Sequence, residues 1–521
     1  MIKGVNFIGF SESRGTGNGL QYTNSVGQVF EPLFYTATRQ DVEKACILAQ
    51  EAFEVYSQKS DDARANFLDE IGNQIDLLGD ELIERASAET GLPEGRFHGE
   101  RSRTTSQLRL FAKVLRRGGY NDPRIDTADL NRQPLPKADI RFLLNPIGPI
   151  AVFAASNFPL AFSTAGGDTA SALAAGCPVI LKSHQAHPGV NDLVSQAIIK
   201  AAKITGMPEG VFSSINGPGR TIGKSLVLNP ALKGVAFTGS TQGGLALQEL
   251  ARTRSEPIPV FAEMGSLNPV VVSEDALNDR TAEILAASIK LGAGQFCTNP
   301  GLLIVKKSDA LDLFQLKLAE LLEIGSTQQM LTSAINRSYE LGKEVLACNA
   351  TQLTSQNCQA GLFSIKANQF INNEQMKEEV FGPLSILVEC ENFEEVISVI
   401  SSIQGQLTGS IFANNTGTEE VGKLFNVLKT KVGRIIFNNA PTGVEVCDSM
   451  HHGGPFPATT DSRYTSVGTA AILRFLRPVC YQNTPDGLLP DALKNENPLG
   501  IQRKVNGVFT NSLISEQVVI S

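Results

Sequence analysis

Short apolar runs alternate with amphipathic stretches between residues 147 and 272, and this alternation constrains the fold most. Strands that alternate with helices at this spacing indicate βαβ units, and therefore a parallel sheet with helices on its faces. Such a sheet binds ligands beyond the carboxyl ends of its strands. The predicted strands are 147–155, 178–182, 211–215, 234–238, 259–263 and 269–272, and the predicted helices are 163–175, 189–205, 221–228 and 243–254.

The rest of the chain divides around this region. Residues 1–35 read as short strands and turns, and helical spacing predicts helices from residue 39 and near 61–78, 79–90 and 98–117. A second α/β region begins near Ser266, with strands near 302–306, 363–365, 385–388, 409–413 and 433–437. Three prolines at 122–142 predict an extended arm, and 471–481 reads as a further strand. We therefore predict an α/β protein with three parts: 1–125 and 147–265, then 266–470, then 126–146 with 471–521.

Composition excludes several classes of protein. The net charge is -8 without a basic block, so nucleic acid is not expected as a partner. We find no apolar run long enough for a membrane span, and the first residues lack the features of a signal peptide. The eight cysteines are scattered without a CxxC pair, which argues against a zinc site and against a disulfide framework. Free thiols and no export signal predict a cytoplasmic protein.

One cysteine lies in an unusual setting. A predicted helix at 281–290 leads into LGAGQFCTNPG, residues 291–301, which places Cys297 among small residues. Small residues let a backbone approach a ligand, and glycine adds conformational freedom. A thiolate is a strong nucleophile, so Cys297 is a candidate for covalent catalysis. A buried structural cysteine is the alternative.

Polar residues follow several predicted strands of the first region. Asn157, in ASNFP, could donate a hydrogen bond to an oxyanion, or simply form a turn before proline. Lys182 could reach a ribose or a phosphate, or extend into solvent. Glu263, in VFAEMG, ends an apolar strand and suits general-base work, or bonds to nearby backbone.

Two further segments have features of a nucleotide site. FTGSTQGG joins a strand to a helix and contains Gly239 and Ser240, where backbone N–H groups could hold a pyrophosphate. An ordinary capped turn is an equal alternative. EEVFGP contains Glu379 and Phe381, and a carboxylate there could hold a ribose diol. Its alternative is a solvated acid pair. His184 and His187 have no third ligand nearby and are interpreted as surface or packing residues.

Together, the order and spacing of SNFP, the strand-end lysine, FTGST, EMG, GQFC and EEVFGP resemble the aldehyde dehydrogenase superfamily over about residues 20 to 480. The resemblance implies a Rossmann-type cofactor domain (1–125 and 147–265), a catalytic domain (266–470) and a β-arm for oligomerisation. It implies NAD(P)-dependent oxidation of an aldehyde, and a homodimer or homotetramer.

The resemblance also implies roles for the residues. Cys297 would attack the aldehyde to form a thiohemiacetal, Asn157 would stabilise its oxyanion, and Glu263 would activate the water that hydrolyses the thioester. The cofactor would be held by the strand-end lysine, the glycine-rich turn and the EEVFGP segment, and Phe158 would lie beside the substrate. The implied cofactor residues are Lys182, Gly239, Ser240, Glu379 and Phe381.

One departure from the family pattern concerns the cofactor. The common form has a glutamate three residues after the lysine, where this chain has Gln185. Loss of that carboxylate removes repulsion toward a 2′-phosphate, and Arg220, in GPGR, could pair with the phosphate. We therefore predict NADP as the preferred cofactor, with NAD possible. A second departure is Ser266 in place of a glycine, which is predicted to leave the role of Glu263 intact.

The closing region narrows the resemblance. FNNAPTGVEV (437–446), HHGGPFPATTD (451–461) and RFLRPVCYQN (474–483) resemble the branch that oxidises 2,5-dioxopentanoate to 2-oxoglutarate. A related branch that oxidises fatty aldehydes with NADP is the alternative. A carboxylated substrate needs a cation, and Arg103 is the candidate, with a solvated helix face as its alternative. His451 and His452 lie near the implied catalytic end without an assigned role.

Two other classes of protein remain open. Dehydrogenase folds are sometimes reused as structural or binding proteins, but such a protein would lose its nucleophile or base, and Cys297 and Glu263 are both present. A coenzyme A-acylating enzyme is the third possibility. Retention of Glu263 favours hydrolysis by water over transfer to a thiol.

Overall fold

The first of two seven-stranded sheets contains the strands predicted between residues 147 and 263. The computed structural model describes residues 1–325 and 328–514. Five neighbouring strands are parallel, and an antiparallel pair from the start of the chain extends one edge. In sheet order the strands are Val260–Glu263, Gly234–Thr238, Ile150–Phe153, Val179–Lys182, Phe212–Ile215, Asn6–Ile8 and Ser11–Ser13.

Helices cover both faces of this first sheet. Successive strand residues point to opposite faces, so Ile150 and Val152 join one core cluster, while Ala151 and Phe153 join another. This two-sided burial explains why the strands are apolar throughout. The helices of this region are Arg39–Tyr56, Asp61–Asp76, Gly79–Thr90, Glu94–Arg117, Gly167–Ala175, Pro188–Ile204, Lys224–Val227 and Thr241–Arg252.

The second seven-stranded sheet contains the later predicted strands and is again largely parallel. Its strand order is Thr351–Gln352, Gly361–Lys366, Leu384–Cys390, Leu302–Lys306, Pro269–Val272, Gln406–Phe412 and Val432–Phe437. Its helices are Asp279–Lys290, Leu311–Glu323, Ser333–Asn349, Ala367–Ile371, Phe393–Ser402 and Glu419–Leu428. The prediction that Pro269–Val272 closes the first series of strands is wrong, because that strand pairs with Leu302–Lys306 and Gln406–Phe412.

A third sheet contains the predicted arm. Its order is Leu476–Gln482, Ile140–Pro146, Arg124–Asp126, Arg503–Val505 and Val508–Thr510. A separate hairpin pairs Gly19–Thr23 with Val29–Tyr35. The apolar run from residue 471 is only partly a strand, because Thr469–Phe475 forms a 3₁₀ helix. The last strands were not predicted. The α/β fold class is confirmed, while the domain limits remain predictions.

All eight cysteines are free thiols. Among the helices of the described residues, none is long and apolar enough to cross a membrane.

A buried ion pair attaches the 3₁₀ helix to the first sheet. Arg474 Nη1 lies 2.8 Å from Asp168 Oδ1, and the two side chains are 3% and 11% exposed. Arg474 also donates to Ser171 Oγ at 3.2 Å. The pair connects the segment before the third sheet to helix Gly167–Ala175.

We expect Arg474→Met to lower the free energy of unfolding by about 3–5 kcal/mol, because it leaves the Asp168 carboxylate buried without its partner. Urea unfolding followed by circular dichroism measures the change. Arg463→Met is the matched control, since the Arg463 side chain is 78% exposed in its pair with Asp461, and it should cost about 1 kcal/mol or less. Equal stability of the two variants would contradict the assigned role.

Candidate active site

A cavity of about 550 Å³ lies beyond the carboxyl ends of the first sheet. Its walls come from turns that follow strands of the first sheet and from loops of the second. It therefore lies where a parallel sheet binds ligands. The structure brings seven predicted site residues together in its lining: Asn157, Gly239, Ser240, Glu263, Cys297, Glu379 and Phe381.

A strained turn carries Cys297 into the cavity. Helix Asp279–Lys290 ends, and Gly292, Ala293 and Gly294 then have φ values of 60°, 55° and 66°. A β-carbon on Gly294 would lie 2.2 Å from the carbonyl carbon of Gly382, so glycine is required where this turn meets the EEVFGP segment. Left-handed backbone at Ala293 costs about 1–2 kcal/mol, and such strain often accompanies functional sites.

The side chain of Asn268 holds the loop that contains Cys297 in place through hydrogen bonds. Its Nδ2 donates to the carbonyl of Cys297 at 2.8 Å and to that of Asn299 at 2.9 Å. Its Oδ1 accepts from Ser266 Oγ at 2.9 Å and from Thr408 Oγ1 at 2.8 Å. Ser266, which departs from the family pattern, thus takes part in a buried network that positions the cysteine.

Cys297, His452 and Glu263 form a tight group. Cys297 Sγ lies 3.4 Å from His452 Nε2, which in turn lies 3.6 Å from Glu263 Oε1. His452 is fully buried, and its backbone N–H donates to Thr465 Oγ1 at 2.8 Å. The sequence left His452 without a role, because 155 residues separate it from Cys297. The HHGGPFP motif was visible, but no local pattern indicated the contact.

Burial and neighbouring carboxylates keep the cysteine protonated. Desolvation raises the pKa of the Cys297 thiol well above its ordinary value, and the negative charges of Glu263 and Glu379 raise it further. The positive charge of Arg434 opposes this effect. A thiol in this environment needs a proton acceptor before it can attack a carbonyl carbon.

Asn157 lies across the cavity and is held in place. Its Nδ2 donates to the backbone carbonyl of Gln295 at 3.0 Å, and the backbone carbonyl of Asn157 accepts a hydrogen bond from Arg96. The Arg96 guanidinium lies over the rings of Phe158 and Phe296, at 4.9 and 5.3 Å from their centroids. An amide nitrogen has two N–H groups, so the one not directed at Gln295 can serve a ligand.

The side of the cavity formed by the first sheet has the features of an anion site. Ser240 caps helix Thr241–Arg252, with its Oγ accepting from Gly243 N at 3.2 Å, and the free N-terminus of that helix faces the cavity. A β-carbon on Gly265 would lie 2.3 Å from Glu379 Oε2, so the backbone and this carboxylate approach closely. Burial lowers the pKa of Lys182 to about 8.

Several predicted residues lie outside the cavity lining. Gln185 and Arg220 are exposed, near the ends of their strands. His184, in contrast, lines the cavity and stacks on His187. His187 Nε2 lies 2.9 Å from the carbonyl of Ala155, as expected of a packing residue. Phe158 packs edge-on against Phe296 at a centroid separation of 5.1 Å.

Two half-buried arginines lie near the cysteine. Arg103 donates to the carbonyl of Val444 and lies 5.8 Å from the Phe162 ring centroid. Arg434, which was not predicted, donates to the carbonyl of Gly443 at 2.9 Å. Burial lowers the pKa of both arginines. The charges of Glu100 and Glu445 oppose the shift for Arg103, and an ionised Cys297 would oppose it for both arginines. Within the described residues, the Nε atom of each is buried without a hydrogen-bond partner.

Comparison with known proteins supplies two near-full-length relatives. An alpha-ketoglutaric semialdehyde dehydrogenase 2 from Azospirillum brasilense is 48% identical, and the alignment covers 97% of this chain and 99% of the relative. An alpha-ketoglutaric semialdehyde dehydrogenase from Acinetobacter baylyi is also 48% identical, over 92% of this chain and 93% of the relative.

Solved structures share the fold at low identity. The aldehyde dehydrogenase KauB from Pseudomonas aeruginosa superposes with a TM-score of 0.80 at 20% identity, covering 92% of this chain and 97% of that one. A betaine aldehyde dehydrogenase from Staphylococcus aureus in complex with NAD+ gives 0.79 at 18% identity, over 93% and 95%. Residues 32–455 match the aldehyde dehydrogenase family model. The chain therefore belongs to the aldehyde dehydrogenase family and is an aldehyde-oxidising oxidoreductase.

Proposed function

We propose that this enzyme oxidises 2,5-dioxopentanoate, the semialdehyde of α-ketoglutarate, to 2-oxoglutarate with NADP as the preferred cofactor. The observation that carries the proposal is the 48% identity, over nearly the full chain, to two proteins named for this activity. The cavity around Cys297 and the half-buried arginines beside it support the proposal.

The reaction begins with attack of Cys297 Sγ on the aldehyde carbon. Because burial keeps the thiol protonated, its proton must leave as the carbon–sulfur bond forms. His452 Nε2, 3.4 Å from the sulfur, accepts that proton. The product is a thiohemiacetal whose oxyanion is stabilised by the Asn157 amide and by the backbone N–H of Cys297.

The groups present in the cavity fit a nicotinamide dinucleotide. The helix N-terminus at Ser240 suits a pyrophosphate, and Glu379 together with the buried Lys182 suits ribose hydroxyls. Phe381 also lines the cavity. A bound nicotinamide would supply the hydride acceptor for oxidation at the thiohemiacetal carbon. The chain's part in this step is to hold that carbon through Cys297 and to exclude water.

Hydrolysis of the thioester completes the turnover. Glu263 is 3% exposed, and neither carboxylate oxygen has a hydrogen-bond partner among residues 1–325 and 328–514. A carboxylate in that state is free to accept a proton from water. The hydroxyl adds to the thioester carbon, and the carbon–sulfur bond breaks. The departing thiolate takes back the proton held by His452, which restores the thiol of Cys297. The acid product ionises as it leaves, and Glu263 releases its proton to solvent.

Two cations support a carboxylated substrate. Arg103 and Arg434 lie near Cys297, and each has a buried Nε without a partner in the described part of the chain. A substrate carboxylate would supply the missing acceptor, and hydrogen bonds to charged groups contribute about 1.5–3 kcal/mol. Phe158 adds an aromatic wall near Phe296.

Preference for NADP rests on charge. Gln185 replaces a carboxylate that would repel a 2′-phosphate, and Arg220 is exposed at the start of the π-helical turn Gly219–Gly223.

We further propose a homodimer or homotetramer built through the third sheet. Support comes from its edge strand, in which Val508 and Phe509 are each 66% exposed.

Initial-rate kinetics with NADP test the substrate. We expect kcat/KM for 2,5-dioxopentanoate to exceed that for a long-chain aldehyde by about tenfold or more, which is roughly 1.4 kcal/mol in the transition state. A preference for the long-chain aldehyde would leave the chemistry in place and move the enzyme to the fatty aldehyde branch. Addition of coenzyme A should not change the rate, since a rise would indicate acyl transfer instead of hydrolysis.

Arg103→Ala should raise KM for 2,5-dioxopentanoate by roughly tenfold to 100-fold and leave KM for a neutral aldehyde of similar length within about twofold. The reason is the lost charge-assisted hydrogen bond to the carboxylate. Arg109→Ala is the matched control on the same helix, where the arginine pairs with Asp76 at the surface. Equal losses for the two aldehydes would remove Arg103 from the substrate site.

Cofactor choice is tested at two positions. Arg220→Ala should lower kcat/KM for NADP by about tenfold and leave that for NAD unchanged, because only NADP carries the phosphate. Gln185→Glu should also lower the NADP value, through repulsion. Arg252→Ala, at an exposed arginine near the far end of helix Thr241–Arg252, controls for general loss of positive charge. A wild-type enzyme that uses NAD as well as or better than NADP would overturn the preference.

A further inference from the structure

The group formed by Cys297, His452 and Glu263 has a geometry that aldehyde oxidation does not require. Cys297 Sγ, a His452 ring nitrogen and a Glu263 carboxylate oxygen all lie within 4.8 Å of one another. The measured separations are 3.4 Å from sulfur to His452 Nε2 and 3.6 Å from that nitrogen to Glu263 Oε1. Thiolate, imidazole and carboxylate are the three kinds of ligand that proteins offer to zinc.

The separations match a zinc site. Zinc bonds of about 2.3 Å to sulfur and about 2.0–2.2 Å to nitrogen or oxygen, arranged as a tetrahedron, place the ligand atoms about 3.3–3.6 Å apart. The two separations that involve His452 already lie close to that range. The third separation, between the Glu263 carboxylate oxygen and Cys297 Sγ, is at most 4.8 Å.

The burial and the missing hydrogen bonds of these side chains are independent evidence for a metal site. Both carboxylate oxygens of Glu263 are buried and lack a hydrogen-bond partner in the described residues, and Glu263 as a whole is 3% exposed. His452 is fully buried. Buried polar atoms are normally satisfied, so a bound cation would satisfy atoms that the protein leaves free.

We propose that Cys297, His452 and Glu263 bind one Zn²⁺ ion reversibly, and that the bound ion blocks the enzyme. Thiolate and carboxylate together balance the charge of the ion, and imidazole completes three protein ligands. The fourth position faces the cavity and is open to water. The soft sulfur and the imidazole favour zinc over magnesium or calcium.

Binding must inhibit because the ion uses the atoms of the reaction. The sulfur lone pair that would attack the aldehyde carbon is donated to the metal, and the Glu263 oxygen that would take a proton from water is bound. Zinc should therefore compete with the aldehyde. Binding releases the proton of the Cys297 thiol to solvent, so zinc should bind more tightly as the pH rises. A chelator should restore activity, since the released thiolate takes up a proton again and no other covalent bond of the protein changes.

Spectroscopic titration with Co²⁺ tests the site without any substrate. The full chain, free of cofactor, should bind one equivalent and develop a thiolate-to-cobalt charge-transfer band, which Zn²⁺ then removes by displacement. Mg²⁺ should not displace the cobalt. Cys297→Ser should abolish the band, and His452→Gln and Glu263→Gln should each weaken binding at least about tenfold, because loss of outer-shell partners alone costs that much.

Binding of Co²⁺ to other cysteines of the chain needs a control. Cys348 and Cys480 are exposed, so the double variant Cys348→Ser/Cys480→Ser must keep the band at full intensity. Thermal unfolding separates site loss from misfolding, because Zn²⁺ should raise the melting temperature of the wild type and of this control but not that of Cys297→Ser.

Three results would overturn the proposal. The first is a band that persists in Cys297→Ser, and the second is a band lost in the double variant. The third is saturable zinc binding that does not inhibit the enzyme competitively with the aldehyde. Because the titration contains no aldehyde and no cofactor, an error in the substrate assignment leaves its outcome unchanged. The site also differs from the sequence-based expectation, which contained no metal.

Discussion

The side-chain amide of Asn268 is the contact on which the site depends. It joins the start of the second sheet to the carbonyls of Cys297 and Asn299, and it is itself held by Ser266 and Thr408. Asn268 has a φ of 50°, which asparagine tolerates better than most residues. The cysteine therefore meets the strand ends of the first sheet at a fixed place, although its own turn is strained.

This placement also determines the chemistry. The turn carries the sulfur to a position near the carboxylates of Glu263 and Glu379, and their charges together with burial raise the pKa of the thiol. At rest the nucleophile is protonated, so it is protected from oxidation and depends on an adjacent base. His452 lies at hydrogen-bonding distance from the sulfur, and in the proposed mechanism it is that base.

Much of this arrangement was accessible from sequence, because strand-end residues of a parallel sheet meet at one edge. Their strand-end positions made Asn157, Glu263 and Gly239 candidates, and the family resemblance gave them roles. His452, Arg434 and Asn268 were not, because their contacts join segments far apart in the chain and leave no local period. Residues 471–475, which lie in the 3₁₀ helix Thr469–Phe475, were interpreted as the start of a strand for a related reason. A short apolar run reads the same in a strand and in a buried 3₁₀ helix.

The charged side chains near Cys297 also bear on which aldehyde the cavity accepts. Arg103 and Arg434 are partly desolvated beside a cavity that also contains the carboxylates of Glu263 and Glu379. A neutral aldehyde would leave both buried Nε donors without acceptors, and this costs more than a missing methylene group would. A substrate with its own carboxylate satisfies them. For the proposed substrate, the same carboxylate would add repulsion toward Glu263 unless it lay on the arginine side, so these charges would also orient its aldehyde toward Cys297.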